Sequence, residues 1–208
     1  QDFIKNNKKQ VISCLISNKL YSPNHNTKIL KNSANNNLLS FAQERLWFIE
    51  KYEGGTNSYN IPMIFRVPRD INDKLLEASI KAIVSRHEIL RTLIKEDSEG
   101  GGYQIILDDN INVLDIKRIF ITDKEELDKA MMHEINHVYE LSKEIPIKVC
   151  FYTTPEDTYL SIVIHHIAFD GWSVDIFVKE LREYYEYYLK QSRGIKAMLN
   201  LPKLSVQY

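Results

Sequence analysis

The sequence predicts an α/β fold, a two-layer sandwich in which helices pack on a mixed sheet. Three observations lead there. Helical and strand periodicities interleave along residues 38–208. Two apolar strands flank a short Pro155-Glu156-Asp157 turn and so form a hairpin. Each helical stretch also gathers its apolar residues on one face, which must be covered by another layer.

Taken in order, residues 1–37 are rich in Asn and Lys and poor in aromatics. Val11 to Leu20 could form one short element, and Asn32 to Asn37 reads as a polar linker. A boundary at Leu38 therefore separates a linker or docking segment, 1–37, from a domain, 38–208. Ser40 with Gln43 fits a capping box, and Phe41, Arg45, Leu46 and Ile49 follow at helical spacing. Asn60 to Val67 reads as a strand. Asp70 to Glu88 reads as a helix with Leu76, Ile80, Ile83 and Val84 on one face. Ile89 to Ile94 and Tyr103 to Leu107 read as strands joined through the glycine-rich Glu99 to Gly102. Thr122 with Glu125 makes a second capping box, opening a helix with Leu127, Met131, Ile135 and Val138 inward. Ile145 to Tyr152 and Thr158 to His165 form the hairpin. Ser173 then caps a helix striped by Phe177, Leu181, Tyr184 and Tyr188.

Composition narrows the function. The chain is 44% hydrophobic and 26% charged, enough for a real core, and its net charge of −1 argues against a nucleic-acid or anionic-membrane partner. No stretch approaches the roughly 20 apolar residues of a membrane span, and Gln1 to Lys9 lack the apolar run of a secretory signal. Cys14 and Cys150 lie far apart and read as reduced thiols of a cytoplasmic protein. The chain starts without Met and stops within Leu201 to Tyr208, so it reads as an excised fragment.

Two histidine motifs compete for the site. His133-Glu134-Ile135-Asn136-His137 matches H-E-x-x-H, in which histidines four apart on a helix grip zinc beside a glutamate base. At about 100° per residue, however, both histidines point roughly 140° away from the apolar stripe, into solvent. Glu156 and Asp157, the third ligands at suitable distance, sit in a hairpin turn. No metal is expected.

The second motif is His165-His166-Ile167-Ala168-Phe169-Asp170-Gly171, closing an apolar strand. Neighbouring strand residues face opposite ways, so these histidines cannot grip one ion and must do different jobs. His166 shares a face with Leu160, Ile162 and Ile164, and His165 with Ser161 and Val163. A histidine at a strand end before a tight turn is well placed as a base. Asp170 near a core needs a cation or backbone donors.

These residues carry a resemblance. His165 to Gly171, with Trp172 and Ser173, resembles the H-H-x-x-x-D-G signature of the condensation domains of non-ribosomal peptide synthetases. Ser40-Phe41-Ala42-Gln43-Glu44-Arg45-Leu46-Trp47 resembles the opening S-x-A-Q-x-R-L-W. Arg86-His87-Glu88-Ile89-Leu90-Arg91-Thr92 resembles R-H-E-x-L-R-T. Ser58 to Pro62 and Leu201 to Tyr208 also read like the family, so the resemblance covers about Leu38 to Tyr208. It implies a chloramphenicol-acetyltransferase-like fold of two lobes, of which this is the first. It implies a tunnel between the lobes, where an acceptor amine attacks a donor thioester. Both substrates ride on the phosphopantetheine of carrier domains, so no cofactor is bound directly. Donor and acceptor carrier domains, the second lobe and an adjacent adenylation domain are the implied partners.

By motif position His166 is the catalytic histidine, acting as base or orienting the amine and stabilising the tetrahedral intermediate. His165 supports it, and Asp170 is structural, pairing with Arg91 or, second, Arg45. Gly171 lets the backbone turn closely and offers its N–H to an oxyanion. Two alternatives stand beside this reading. One is an epimerization domain, disfavoured by Trp172-Ser173 and the RHEILRT form. The other is an isolated fragment that binds or docks without catalysis, since one lobe lacks the other tunnel wall. A heterocyclization domain would carry aspartate at His166.

Overall fold

The computed structural model describes residues 37–109, 113–204 and 207, all within Ser33–Tyr208, the second of two units of the chain. The readings made for 1–36, including Cys14 and Val11 to Leu20, lie outside the described residues. β1 (Asn37–Leu38) leads into α1 (Phe41–Glu53), β2 (Asn60–Val67) and α2 (Asp73–Arg86). A 3-10 turn (Glu88–Arg91) feeds β3 (Thr92–Glu96), which pairs antiparallel with β4 (Gly102–Ile106). β5 (Ile116–Phe120), α3 (Lys124–Ile135), β6 (Ile147–Thr153), β7 (Thr158–His165) and α4 (Gly171–Ser192) complete the order.

The main sheet runs β2-β7-β6-β5. It is mixed, as the sequence predicts: β7 pairs antiparallel with β2 and β6, while β5 lies parallel to β6. A second, antiparallel sheet runs β1-β4-β3. The period of two along β6 and β7 divides the core. Ile147, Val149, Phe151, Leu160, Ile162 and Ile164 meet Ile80, Ile83 and Val84 of α2 and Phe177 and Tyr184 of α4. On the other face Cys150 and Tyr152 meet Leu127 and Met131 of α3. Val163 there joins Leu39, Ile94, Tyr139 and Leu141. Burial pushes the Cys150 thiol up, which keeps it an unreactive apolar group. Among the described residues no helix is long and apolar enough to cross a membrane.

Several boundaries differ from the sequence reading, each for a local reason. α2 starts at Asp73 because Asn72 caps it, accepting from the Lys74 and Leu75 N–H groups at 3.0 and 3.2 Å. Ile89 to Arg91 is not strand: the Leu90 N–H donates to the His87 C=O, and the extended run begins at Thr92. An apolar run this short carries too little periodicity to separate a turn from a strand. The cap of α3 is Asp123, accepting from the Glu126 N–H at 2.9 Å, rather than Thr122. That helix stops at Ile135, which leaves Val138 exposed instead of inward. Phe41 and Arg45 likewise face solvent. α4 is capped by Asp170, with Ser173 as the third helical residue closing the box. β5 has no counterpart among the predicted strands; its pattern Ile116-Lys117-Arg118-Ile119-Phe120 has no apolar alternation.

One buried polar contact ties the helical layer together. Glu180 of α4, 5% exposed, accepts from Arg86 Nε at 3.0 Å and pairs with His87 Nε2 at 2.7 Å. The Arg86-His87 pair of the second motif thus anchors α4 from the end of α2. Arg86 is itself mostly covered, so removing its partner strands a charge away from water. Glu180→Ala should cost about 3 kcal/mol, read as a lower midpoint in urea unfolding with an unchanged slope.

Candidate functional site

The two histidines separate where β7 ends. β7 stops at His165 and the chain turns at once, the Ala168 N–H donating to the His165 C=O at 3.0 Å. His166 is the second residue of this turn. Its N–H donates to the Tyr59 C=O at 2.8 Å, and its side chain is exposed. The alternation that would set it beside Leu160, Ile162 and Ile164 therefore ends one residue early.

His165 points the other way and has no exposed surface. Its Nδ1 accepts from the Ile167 N–H at 3.1 Å, so the ring proton sits on Nε2, which donates to Glu50 Oε1 at 3.1 Å. The rings of Tyr139 and Tyr59 lie 5.8 and 6.3 Å away. The Tyr139 hydroxyl donates to the Val163 C=O at 2.7 Å. Burial lowers the His165 pKa from its ordinary value; Glu50 opposes the shift, and His166 adds to it. His165 is accordingly a neutral structural ring.

Asp170 begins α4 and is exposed. It accepts from the Ser173 hydroxyl at 2.6 Å and the Ser173 N–H at 2.9 Å, and these bonds hold its carboxyl below the usual carboxylate range. The neighbouring His166 contributes in the same direction. The expected arginine pair is not made. Arg91 donates instead to the Leu107 C=O and faces Glu88 at 3.8 Å, while Arg45 is exposed on α1. The reason is that Asp170 sits at the surface, where helix-end donors already compensate its charge. Gly171 is the first residue of α4, its φ is not positive, and an added Cβ would meet nothing within 4 Å. The turn therefore does not depend on its being glycine.

The H-E-x-x-H match dissolves for a different reason than the expected one. α3 ends at Ile135, so His133 and His137 do not share a helix. His133 is exposed. His137 is half-buried rather than solvated, bonded to Glu144 at 2.9 Å and edge-on to Tyr139. Glu134 is buried and bonded to Lys117 at 2.9 Å. Among the described residues no group of three metal-binding side chains comes together.

Residues that the sequence reading missed complete the site. Glu50 is one, and Gln43 another: its Nε2 donates to the Ile167 C=O at 3.4 Å. A signal existed, because Gln43 and Glu50 are seven apart and so share a helix face. Asn60 donates to the Ile135 and His137 carbonyls at 2.8 and 2.7 Å, which seats the Ser58 to Pro62 stretch. Beside the turn, Ile83, Leu90, Ala168, Phe169, Ile176 and Phe177 line an apolar pocket of about 130 Å³. Glu50, Trp47, Lys51 and Tyr139 line a larger cleft of about 590 Å³.

Known proteins are similar to this chain in sequence and fold. The family model of the condensation domain matches residues 33–197. The chain is 38% identical over 143 residues to the N-(5-amino-5-carboxypentanoyl)-L-cysteinyl-D-valine synthase of Amycolatopsis lactamdurans, covering 69% of this chain and 4% of that protein. It is 37% identical over 170 residues to the cyclosporin synthetase of Tolypocladium inflatum, covering 81% and 1%. Among solved structures, the X-domain from teicoplanin biosynthesis aligns with a TM-score of 0.71 at 23% identity, over 86% of this chain and 37% of that one. The first condensation domain of the calcium-dependent antibiotic synthetase aligns at 0.65 and 18%, over 80% and 41%. The chain thus spans a small part of these relatives and less than half of each structure.

Two outcomes follow from the site's electrostatics. The depressed His165 pKa means the unfolded chain takes up a proton that the folded one refuses. Stability is therefore full above the ordinary value of 6.5 and falls as pH drops below it. The melting temperature should decline as pH falls from about 7.5 to about 5.5, and the His165 ring nitrogens should report a neutral imidazole at about pH 7.5. Asp170→Ala should remove a helix cap and cost about 1 kcal/mol, measurable by thermal unfolding.

Proposed function

The chain belongs to the condensation-domain family, and we propose that it forms part of the site where a non-ribosomal peptide synthetase makes peptide bonds. The reaction joins an acceptor amine to a donor acyl thioester. The amine nitrogen attacks the thioester carbonyl, the carbon–sulfur bond breaks, and the amine proton ends on the departing thiol. Both groups arrive on phosphopantetheine arms of carrier domains, in the cytoplasm. The second lobe and an adenylation domain are the further partners of the whole protein.

The observation that carries this reading is the turn itself. It presents His166 outward from a strand end whose neighbour, His165, is locked inside. An exposed imidazole can take the proton from the attacking amine and return it to the sulfur. Asp170 lies close enough to His166 for the two groups to interact electrostatically. Gly171, at the start of α4, sets its N–H at the positive end of a 22-residue helix, where a developing oxyanion is favoured.

A second reading has one observation behind it. A structural neighbour at TM-score 0.72 is described as a complex of the X-domain and OxyB from teicoplanin biosynthesis, so this fold also serves to hold another protein. A non-catalytic binding role would leave His166 without a chemical task.

His166→Ala separates the two. In the complete condensation domain it should slow single-turnover peptide formation by about 10²–10⁴-fold, with both carriers still loading. Formation at the wild-type rate would refute the catalytic role and favour binding.

A further inference from the structure

α1 is built inside out. It buries Gln43 and Glu50, at 1% and 8% exposure, and leaves Phe41, Phe48 and Tyr52 at 93%, 67% and 84%. An ordinary surface helix makes the reverse choice, because burying polar groups costs free energy unless each finds a partner. Here each does, and the partners converge on one place. Glu50 Oε1 accepts from His165 Nε2, and its Oε2 accepts from the Thr56 N–H at 3.1 Å. Two turns earlier on the same face, Gln43 donates to the Ile167 C=O, while its Oε1 accepts from the Ser40 N–H at 3.0 Å and Gln104 Nε2 at 3.3 Å. α1 therefore grips the residue before His166 and the residue after it.

We propose that Glu50 positions His166 for the peptide-forming step, by fixing the His165 ring and with it the turn that carries His166. This rests on the reading of His166 as the reacting histidine. The His165 ring is a two-ended strut: Nε2 must donate outward to Glu50 for Nδ1 to stay open to the Ile167 N–H. Without Glu50 the buried Nε2–H has no acceptor. Moving the proton to Nδ1 breaks the bond to Ile167 instead. Either way the turn loses a restraint next to His166.

The test begins on the 208-residue chain, labelled with ¹⁵N. At pH 7 His165 should show the Nε2–H tautomer alone, and Glu50→Ala should mix in the other. Glu50→Gln keeps a carbonyl acceptor and should keep the tautomer. In the complete condensation domain, below the variant's melting temperature and at saturating loaded carriers, Glu50→Ala should lose about 10²-fold in single-turnover rate. Glu50→Gln should regain most of that loss. An Nδ1–H or doubly protonated His165 in the wild-type chain overturns the proposal without any variant. So does a folded Glu50→Ala enzyme with the wild-type rate. If Glu50→Ala does not fold, Glu50→Gln decides: a lost tautomer with full activity overturns it, and a kept tautomer with near-full activity supports it. Full activity in His166→Ala would strike down the reading of His166 itself, leaving the tautomer result to stand for Glu50's hold on the turn.

Discussion

A fully buried histidine must have both ring nitrogens bonded, and in this chain one bond comes from two residues away while the other comes from 115. An unmade bond there costs about 1–3 kcal/mol, a large share of the stability of an ordinary domain. The long-range bond therefore constrains more than one residue. It fixes the rotation of α1, because Glu50 must face β7. It brings Gln43 inward by the helical repeat and sends Phe41, Phe48 and Tyr52 outward. The Ser40 capping box is part of the same device, since the Gln43 amide that closes it also reaches Ile167 and Gln104.

The apolar contacts concentrate on the other face of the sheet. Ile80, Ile83, Leu160, Ile162 and Ile164 are within 1% of complete burial, and each such side chain contributes about 1.5–3 kcal/mol. That surplus lets the α1 face be given over to polar contacts. Even among the apolar helices one charged anchor intrudes, Glu180 with Arg86 and His87. His87 also lines the small pocket that contains Ala168, Phe169 and Ser173. The turn bearing His166 is thus braced from α1 on one side and neighboured by the α2–α4 anchor on the other.

The legible parts of the fold are those that repeat. Asn60–Val67 and Thr158–His165 are mostly apolar runs bounded by turn residues, and their strand limits match those read from the sequence, while the α2 stripe names its buried residues. The Ser40-Gln43 box is equally plain. What escapes a sequence reading are contacts set by tertiary geometry. Glu50 shares a helix face with Gln43, but its partner lies 115 residues away. The solvent-facing phase read for His133 and His137 holds for His133 alone, because the helix ends at Ile135. The Asp170–arginine pair fails similarly. It presumes a buried aspartate, but Asp170 is a surface cap, and the nearly buried Arg91 turns its charge to a carbonyl and Glu88.

The balance of magnitudes says why a rigid turn matters more than a basic ring. A positioned proton carrier contributes about 10²–10⁴-fold to a reaction. Holding two reactants in line is worth effective molarities of about 10⁵–10⁸ M. Under the proposed function, an amine and a thioester on separate flexible arms would depend on the second effect, and His166 would add the first only where they meet. The turn is pinned by four bonds within four residues, each donor to acceptor: His166 to Tyr59, Ala168 to His165, Ile167 to His165, and Gln43 to Ile167. Glu50 then secures the ring to which the Ile167 N–H is bonded. On the proposed reading, a side chain that never meets the substrate would govern the rate by setting where the His166 imidazole stands.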